Sequence, residues 1–138
     1  MKESTEELLN KIKKTTDITH FMKENEANFI NTTVPEYLDN IVAEKKLKVS
    51  EVAERSGQGD YVYKVFQGSR KASRDILLAI AFGMSLTLDE TQNLLRVASD
   101  AQLDPRSRRD SVIIYGLCKK MKITEVCEIL YELKERIF

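Results

Sequence analysis

The sequence predicts an all-α protein, and three observations predict it. Only 5 Gly and 2 Pro interrupt 138 residues that are 42% hydrophobic, a composition that suits helices more than sheet. Apolar side chains recur three and four residues apart through most of the chain, which places them on one face of a helix. Capping pairs stand in front of those stripes, Ser4 with Glu7, Thr33 with Glu36 and Thr87 with Glu90. Each sets a hydroxyl and a carboxylate three residues apart, able to satisfy the free N–H groups of a first helical turn.

The elements follow in order. Ser4 and Glu7 open a helix with Leu8, Leu9 and Ile12, and Thr16-Asp17 opens a short second one with Ile18, Phe21 and Met22 on one side. Together they form an N-terminal helical arm, residues 1–31. Thr33, Pro35 and Glu36 start a helix whose Leu38, Ile41 and Val42 share a face and which ends near Lys46, proline being tolerated in a first turn. Leu47 to Gly68 reads as two short helices around a glycine turn: Val52-Ala53 supplies an apolar pair, Gly57 the turn, and Gly68 an abrupt stop. A helix from Arg74 to Met84 then presents Leu77, Ile80, Ala81 and Met84, and Thr87 with Glu90 caps another carrying Leu88, Thr91, Leu95 and Ala98. The helices from Thr33 to Ala98 are expected to close a small core of their own, residues 32–99. In the remaining segment, 100–138, Asp104-Pro105 is expected to cap and begin a helix with Ile113, Ile114, Leu117 and Cys118. The last helix is expected to run from about Thr124 to the end.

Charge and reactive side chains exclude several functions. Lys plus Arg and Asp plus Glu balance at 22 each, so no whole-protein field draws the chain onto nucleic acid. The distribution is uneven. Residues 61–74 carry Lys64, Arg70, Lys71 and Arg74 with no acid, whereas residues 1–46 carry 7 basic and 9 acidic side chains. Any anion-binding face is therefore local. Cys118 and Cys127 lie in apolar helical surroundings and His20 stands alone, so neither a zinc site nor a disulfide framework is expected, and both thiols read as reduced and packed. No phosphate loop or nucleophile–base pair is present, so no enzyme and no cofactor are expected. The N-terminus lacks a secretory pattern and no apolar run approaches the ~20 residues that span a bilayer. The expectation is a cytoplasmic protein with no membrane partner.

Thr33 to Ala98 resembles the lambda-repressor-like, Cro and XRE-type helix-turn-helix domain. The matching marks are Val52-Ala53, Gly57, the alternation of Tyr61, Tyr63 and Phe66, the turn Gly68-x-Arg70-Lys71-Ala72-Ser73, and Ile76-Leu77-x-x-Ile80-Ala81. The resemblance covers about half the chain. The run through Asp104-Pro105-Arg106, Arg108-Arg109-Asp110 and the terminal helices is similar to XRE-type regulators of bacterial origin that carry a helical extension. The family fold it implies is five helices, the second and third forming the reading unit. Several positions depart from the pattern. The two glycines of the turn enclose one residue fewer than in the family, Gln58 stands where an apolar residue is usual, and Ala72 where proline often is. Lys48 takes the place of the Ser or Thr cap, Val49 that of a common phosphate donor, and Ser50 is expected to cap one residue late.

The implied function is sequence-specific binding of double-stranded DNA as a transcriptional regulator, with the helix near 59–67 in the major groove. With Tyr63 and Phe66 taken as inward, the base-reading residues are Tyr61, Lys64 and Gln67, with Gln58 and Asp60 at the leading end. Gln67 or Gln58 suits adenine, Asp60 cytosine, Tyr61 a thymine methyl or a phosphate, and Lys64 guanine or the backbone. Ser50, Ser69, Arg70, Lys71 and Arg74 suit phosphates. Asp60 has a second reading as a helix cap. Asp104 and Asp110 are expected to pair locally with Arg106, Arg108 and Arg109.

Two further readings stay open. Ile123, Val126, Leu130, Leu133 and Ile137 repeat at three, four, three, four, the seam spacing of packed helices. The stripe either covers its own subunit or forms a homodimer that sets two reading helices about 34 Å apart, one DNA turn. The alternative to a regulator is a protein-interaction or adaptor module that keeps the helix-turn-helix fold without reading DNA.

Overall fold

The computed structural model describes residues 4–26 and 31–138. Among them the chain is all-helical, with nine helices and no strand, and it divides into two compact units, Met1–Asn31 and Thr32–Phe138.

The first unit holds α1, Thr5–Lys14, and α2, Ile18–Glu24. Ser4 Oγ accepts from the Glu7 N–H at 3.1 Å, and Asp17 Oδ1 from the His20 N–H at 3.2 Å. α1 buries none of its residues, and α2 buries Phe21. Leu9, Ile12, Ile18 and Met22 remain exposed.

The second unit holds α3 (Val34–Lys45), α4 (Val49–Ser56), α5 (Asp60–Gln67), α6 (Arg74–Gly83), α7 (Leu88–Val97), α8 (Arg108–Cys118) and α9 (Ile123–Glu132). α6 is its axis. Every residue from Leu77 to Gly83 is buried, as befits a helix that is apolar around its whole circumference, and α4, α7 and α9 all pack on it. α3 packs on α5 and α7, and α8 on α7 and α9. The α4–α6 crossing is close because Gly83 has no side chain; a Cβ there would lie 2.8 Å from the Val52 carbonyl oxygen.

The core does not close at Ala98. One buried cluster runs from Leu38 of α3 through Leu103, Ile113, Leu117, Val126 and Leu130, so the segment after residue 100 completes the core of the helices before it. The boundaries there also differ from expectation. Asp104 opens a turn, accepting from the Ser107 N–H through its carbonyl at 2.9 Å and from the Arg106 N–H through Oδ1 at 2.9 Å. Ser107 caps α8 instead, its Oγ taking the Asp110 N–H at 3.1 Å. The last helix stops at Glu132 rather than running to the end. Lys134 turns left-handed there (φ 59), and the Glu135 N–H reaches the Leu130 carbonyl at 2.8 Å. The terminal residues fold back, and Phe138 meets Phe82 edge-on at 6.0 Å between centroids. The expected seam is consequently cut: Ile123, Val126 and Leu130 are buried in their own subunit, whereas Leu133 and Ile137 are 46% and 45% exposed. Cys118 is exposed rather than packed, and Cys127 is half-buried; both are free thiols.

Candidate nucleic-acid interface

The turn between α4 and α5 is closed by a small set of hydrogen bonds. α4 ends at Gly57 in the left-handed conformation, φ 73. Ser56 Oγ donates to the Ala53 carbonyl at 3.1 Å and accepts from the Gln58 N–H at 3.3 Å. The Gly59 N–H returns to the same carbonyl at 3.3 Å, so one buried oxygen gathers the turn. α5 then starts at Asp60 with Gly59 as its cap. Asp60 is thus the first helical residue and caps nothing, although its charge suits the positive end of the helix. The late cap expected of Ser50 does not form either: α4 begins at Val49, the cap position is Lys48, and it makes no side-chain cap bond.

The inward stripe of α5 is Val62, Val65 and Phe66, the i, i+3, i+4 set of a helix face. Tyr63 therefore does not point inward; it is 39% exposed. Its exposed neighbours are Asp60, Lys64 and Gln67. Tyr61 is half-buried, and its hydroxyl donates to the Lys71 carbonyl at 3.4 Å. This turns Tyr61 toward the following loop and away from the outward row where it was expected. Gln58 is half-buried in the turn. Tyr63 is an exposed aromatic that was expected to point inward, and the β-branched pair Val62 and Val65 with Phe66 was the signal for the true inward face.

The phosphate candidates separate into two groups. Ser50, Ser69, Arg70 and Lys71 are exposed, and the Ser69 hydroxyl donates to the Lys64 carbonyl at 3.2 Å. Neither Arg70 nor Lys71 has a carboxylate partner among the described residues, and the same holds for Lys64. Arg74 is different. Its guanidinium donates to the Ala101 carbonyl at 2.8 Å, to the Gln102 carbonyl at 3.2 Å and to both Asp110 oxygens at 3.2 and 3.0 Å. Four bonds to the protein hold it there, so it is left out of the phosphate set.

Three arginines of the terminal segment, Arg108, Arg109 and Arg136, pair over long range rather than locally, whereas Arg106 is exposed and has no ion pair among the described residues. Arg109 Nη1 donates to Asp75 at 3.0 Å, Arg136 to the other oxygen of Asp75 at 3.0 Å, and Arg108 lies 3.6 Å from Glu135. Arg109 also donates through Nε to the Arg136 carbonyl at 2.6 Å and lies 5.2 Å from the Phe138 ring centroid. Among the described residues the unpaired cations around α5 are therefore Lys64, Arg70 and Lys71, with Lys48 exposed at the cap of α4. Asp60 is exposed at the start of α5 and Glu54 on α4, while Glu51 pairs with Arg55 at 3.3 Å.

α3 and α7 are tied by the Tyr37 hydroxyl donating to the Glu90 carbonyl at 2.9 Å and by Lys45 bridging to the Glu90 carboxylate at 3.1 Å. Burial disfavours the charged Glu90, but the Thr87 N–H and Lys45 outweigh it and hold its carboxyl below its ordinary value. Burial, aided by Glu90, pushes the Tyr37 hydroxyl up.

Among the described residues no helix is long and apolar enough to cross a membrane, and no cluster of His, Cys, Asp or Glu is arranged to hold a metal ion. No family model matches the chain, and no curated protein or solved structure does.

Proposed function

We propose that the chain is a sequence-specific DNA-binding transcriptional regulator, with α3 to α7 as a lambda-repressor-like domain whose α5 enters the major groove. One observation carries this reading: among the described residues Lys64, Arg70 and Lys71 stay exposed around α5 with no carboxylate partner, while the next cation along, Arg74, is held by Asp110. In this arrangement Asp60, Tyr63, Lys64 and Gln67 face base edges, and Ser50, Ser69, Arg70 and Lys71 face phosphates. Each phosphate neutralised contributes a salt dependence of about 0.9 in logarithmic slope, so a few such contacts give modest affinity and two copies bind together. The buried stripe of α9 is used within its subunit, which leaves the outer side, Tyr131, Leu133 and Ile137, for a homodimer contact.

Selection of the full chain against a random DNA pool, followed by sequencing, tests the proposal. An enriched motif with two-fold symmetry is the expected result; no enrichment overturns it. The exposed acid Asp60 on the same helix as the exposed aromatic Tyr63 favours the second reading, an adaptor that presents that helix to a protein. Failure of the selection would leave that reading standing.

A further inference from the structure

A cavity of about 370 Å³ opens beneath the basic turn that follows α5, within the size range of small-molecule sites, about 300–1,000 Å³. Its walls are mostly apolar, with Thr33 the one uncharged polar side chain among them. Pro35 of α3, Val65 of α5, Leu77 of α6 and Ala98 at the end of α7 converge on it. Its rim is cationic, because Arg70 and Lys71 line it from the turn, and none of the lining residues is acidic.

Those two properties together select a ligand chemistry. A neutral apolar molecule would fill the floor and leave both cations without a counter-charge; an amine would be repelled; a small inorganic anion would leave the apolar walls wet. An anion with an apolar body satisfies both ends. We propose that the cavity binds a small amphipathic carboxylate, its head on Arg70 and Lys71 and its chain against Pro35, Val65, Leu77 and Ala98. A medium-chain alkanoate is the simplest member of the class.

Resting on the regulator reading above, the inference adds a control on it. The cations that hold the carboxylate are those assigned to DNA phosphates, so ligand and duplex compete for them. Coupling of this kind is reciprocal: filling the cavity weakens DNA binding, and DNA weakens the ligand.

Octanoate titrated into the full chain, followed by amide NMR, tests the site without DNA, with octanol and octylamine as controls. Saturable shifts at Val65, Leu77 and Ala98 are expected with octanoate, and the two controls should bind about tenfold more weakly or worse. Arg70→Ala with Lys71→Ala should weaken octanoate by a similar factor, and so should Ala98→Phe, which fills the cavity and keeps both cations. Absence of saturation at millimolar octanoate, equal binding of all three probes, or indifference to the double alanine change overturns the site. The two surface changes keep the test decisive even where Ala98→Phe disturbs the fold. A second arm measures the selected duplex by fluorescence anisotropy with and without octanoate, and an unchanged affinity overturns the coupling. A chain that binds the duplex and ignores octanoate refutes the cavity alone; one that binds octanoate and no duplex refutes the regulator alone.

Discussion

Arg74 and Asp110 form a two-pronged ion pair, Nη1 to Oδ1 at 3.2 Å and Nη2 to Oδ2 at 3.0 Å, that fastens the start of α6 to the start of α8. Asp110 is buried and also accepts from the Asp104 N–H at 3.0 Å, so its carboxylate organises the whole approach to α8. Truncating one partner of a buried pair strands the other. Asp110→Ala should therefore lower stability by about 3 kcal/mol, at the low end for such pairs because Arg74 is partly solvated. Urea denaturation reads this directly. Arg74→Ala should likewise cost stability, with no loss of DNA affinity in the protein that remains folded.

The face of α5 can be tested by a pair of aromatic truncations. Phe66 is buried and Tyr63 is exposed. Phe66→Ala should destabilise by about 3–5 kcal/mol, whereas Tyr63→Ala should stay within about 0.5 kcal/mol. Tyr63→Ala should instead change DNA binding, measured by anisotropy on the selected site. Equal destabilisation by the two changes would show that the inward stripe of α5 lies elsewhere.

On the phosphate side, Arg70→Ala with Lys71→Ala should weaken all sequences alike and lower the logarithmic salt slope by about 1.8, about 0.9 for each phosphate that is no longer neutralised. Lys64→Ala or Gln67→Ala should change the ranking of sites instead. If none of the four changes alters binding, α5 and its turn are not the interface.

Gly83 offers a test of packing alone. Alanine is the better helix former by about 1 kcal/mol, but its Cβ would stand 2.8 Å from the Val52 carbonyl oxygen, a backbone atom of α4. Backbone cannot swing aside as a side-chain end can. Gly83→Ala should destabilise by about 1–3 kcal/mol as an overpacking change, and a rise in the thermal midpoint would contradict the close crossing of α4 and α6.

Glu90 sets an acid limb on stability. Its folded-state carboxyl lies below the ordinary 4.5, so the stabilisation it brings is present above that pH and is lost as pH falls through the lower folded value. Tyr37 works at the other end. Its folded-state hydroxyl lies above the ordinary 10.0, so its contribution is present below that pH and is lost as pH rises through the higher folded value. Glu90→Gln should flatten the acid limb in denaturation curves between pH 5 and pH 3, about the range of carboxylate titration, and reduce the alkaline limb without abolishing it, because burial is the larger cause of the Tyr37 shift and Glu90 the second.

Helix starts were legible in the sequence because side-chain caps announce them. Ser4, Asp17, Thr33, Ser73 and Thr87 all accept the N–H three residues on, a local bond that needs nothing from the rest of the fold. Helix ends were less legible. Lys46, Ser85, Ser99, Lys120 and Lys134 take positive φ after α3, α6, α7, α8 and α9, where glycine would have signalled a stop. That is why α9 could be read as running to the end of the chain when it breaks at Lys134.

The sequence by itself determined the helical class, most helix starts, the two glycine-ended helices of the central motif and the cluster of cations after Gly68. Those properties follow from spacing, capping and backbone conformational freedom, which act within a few residues. Only the tertiary structure decided which cations remain free. Arg74 and Arg70 are equivalent by residue type and lie four positions apart, yet one meets Asp110 from α8 and the other meets solvent. Partners distant in the chain make that distinction, and no local pattern encodes them. The same holds for the cavity behind the turn, whose walls come from four helices and exist only once those helices have packed.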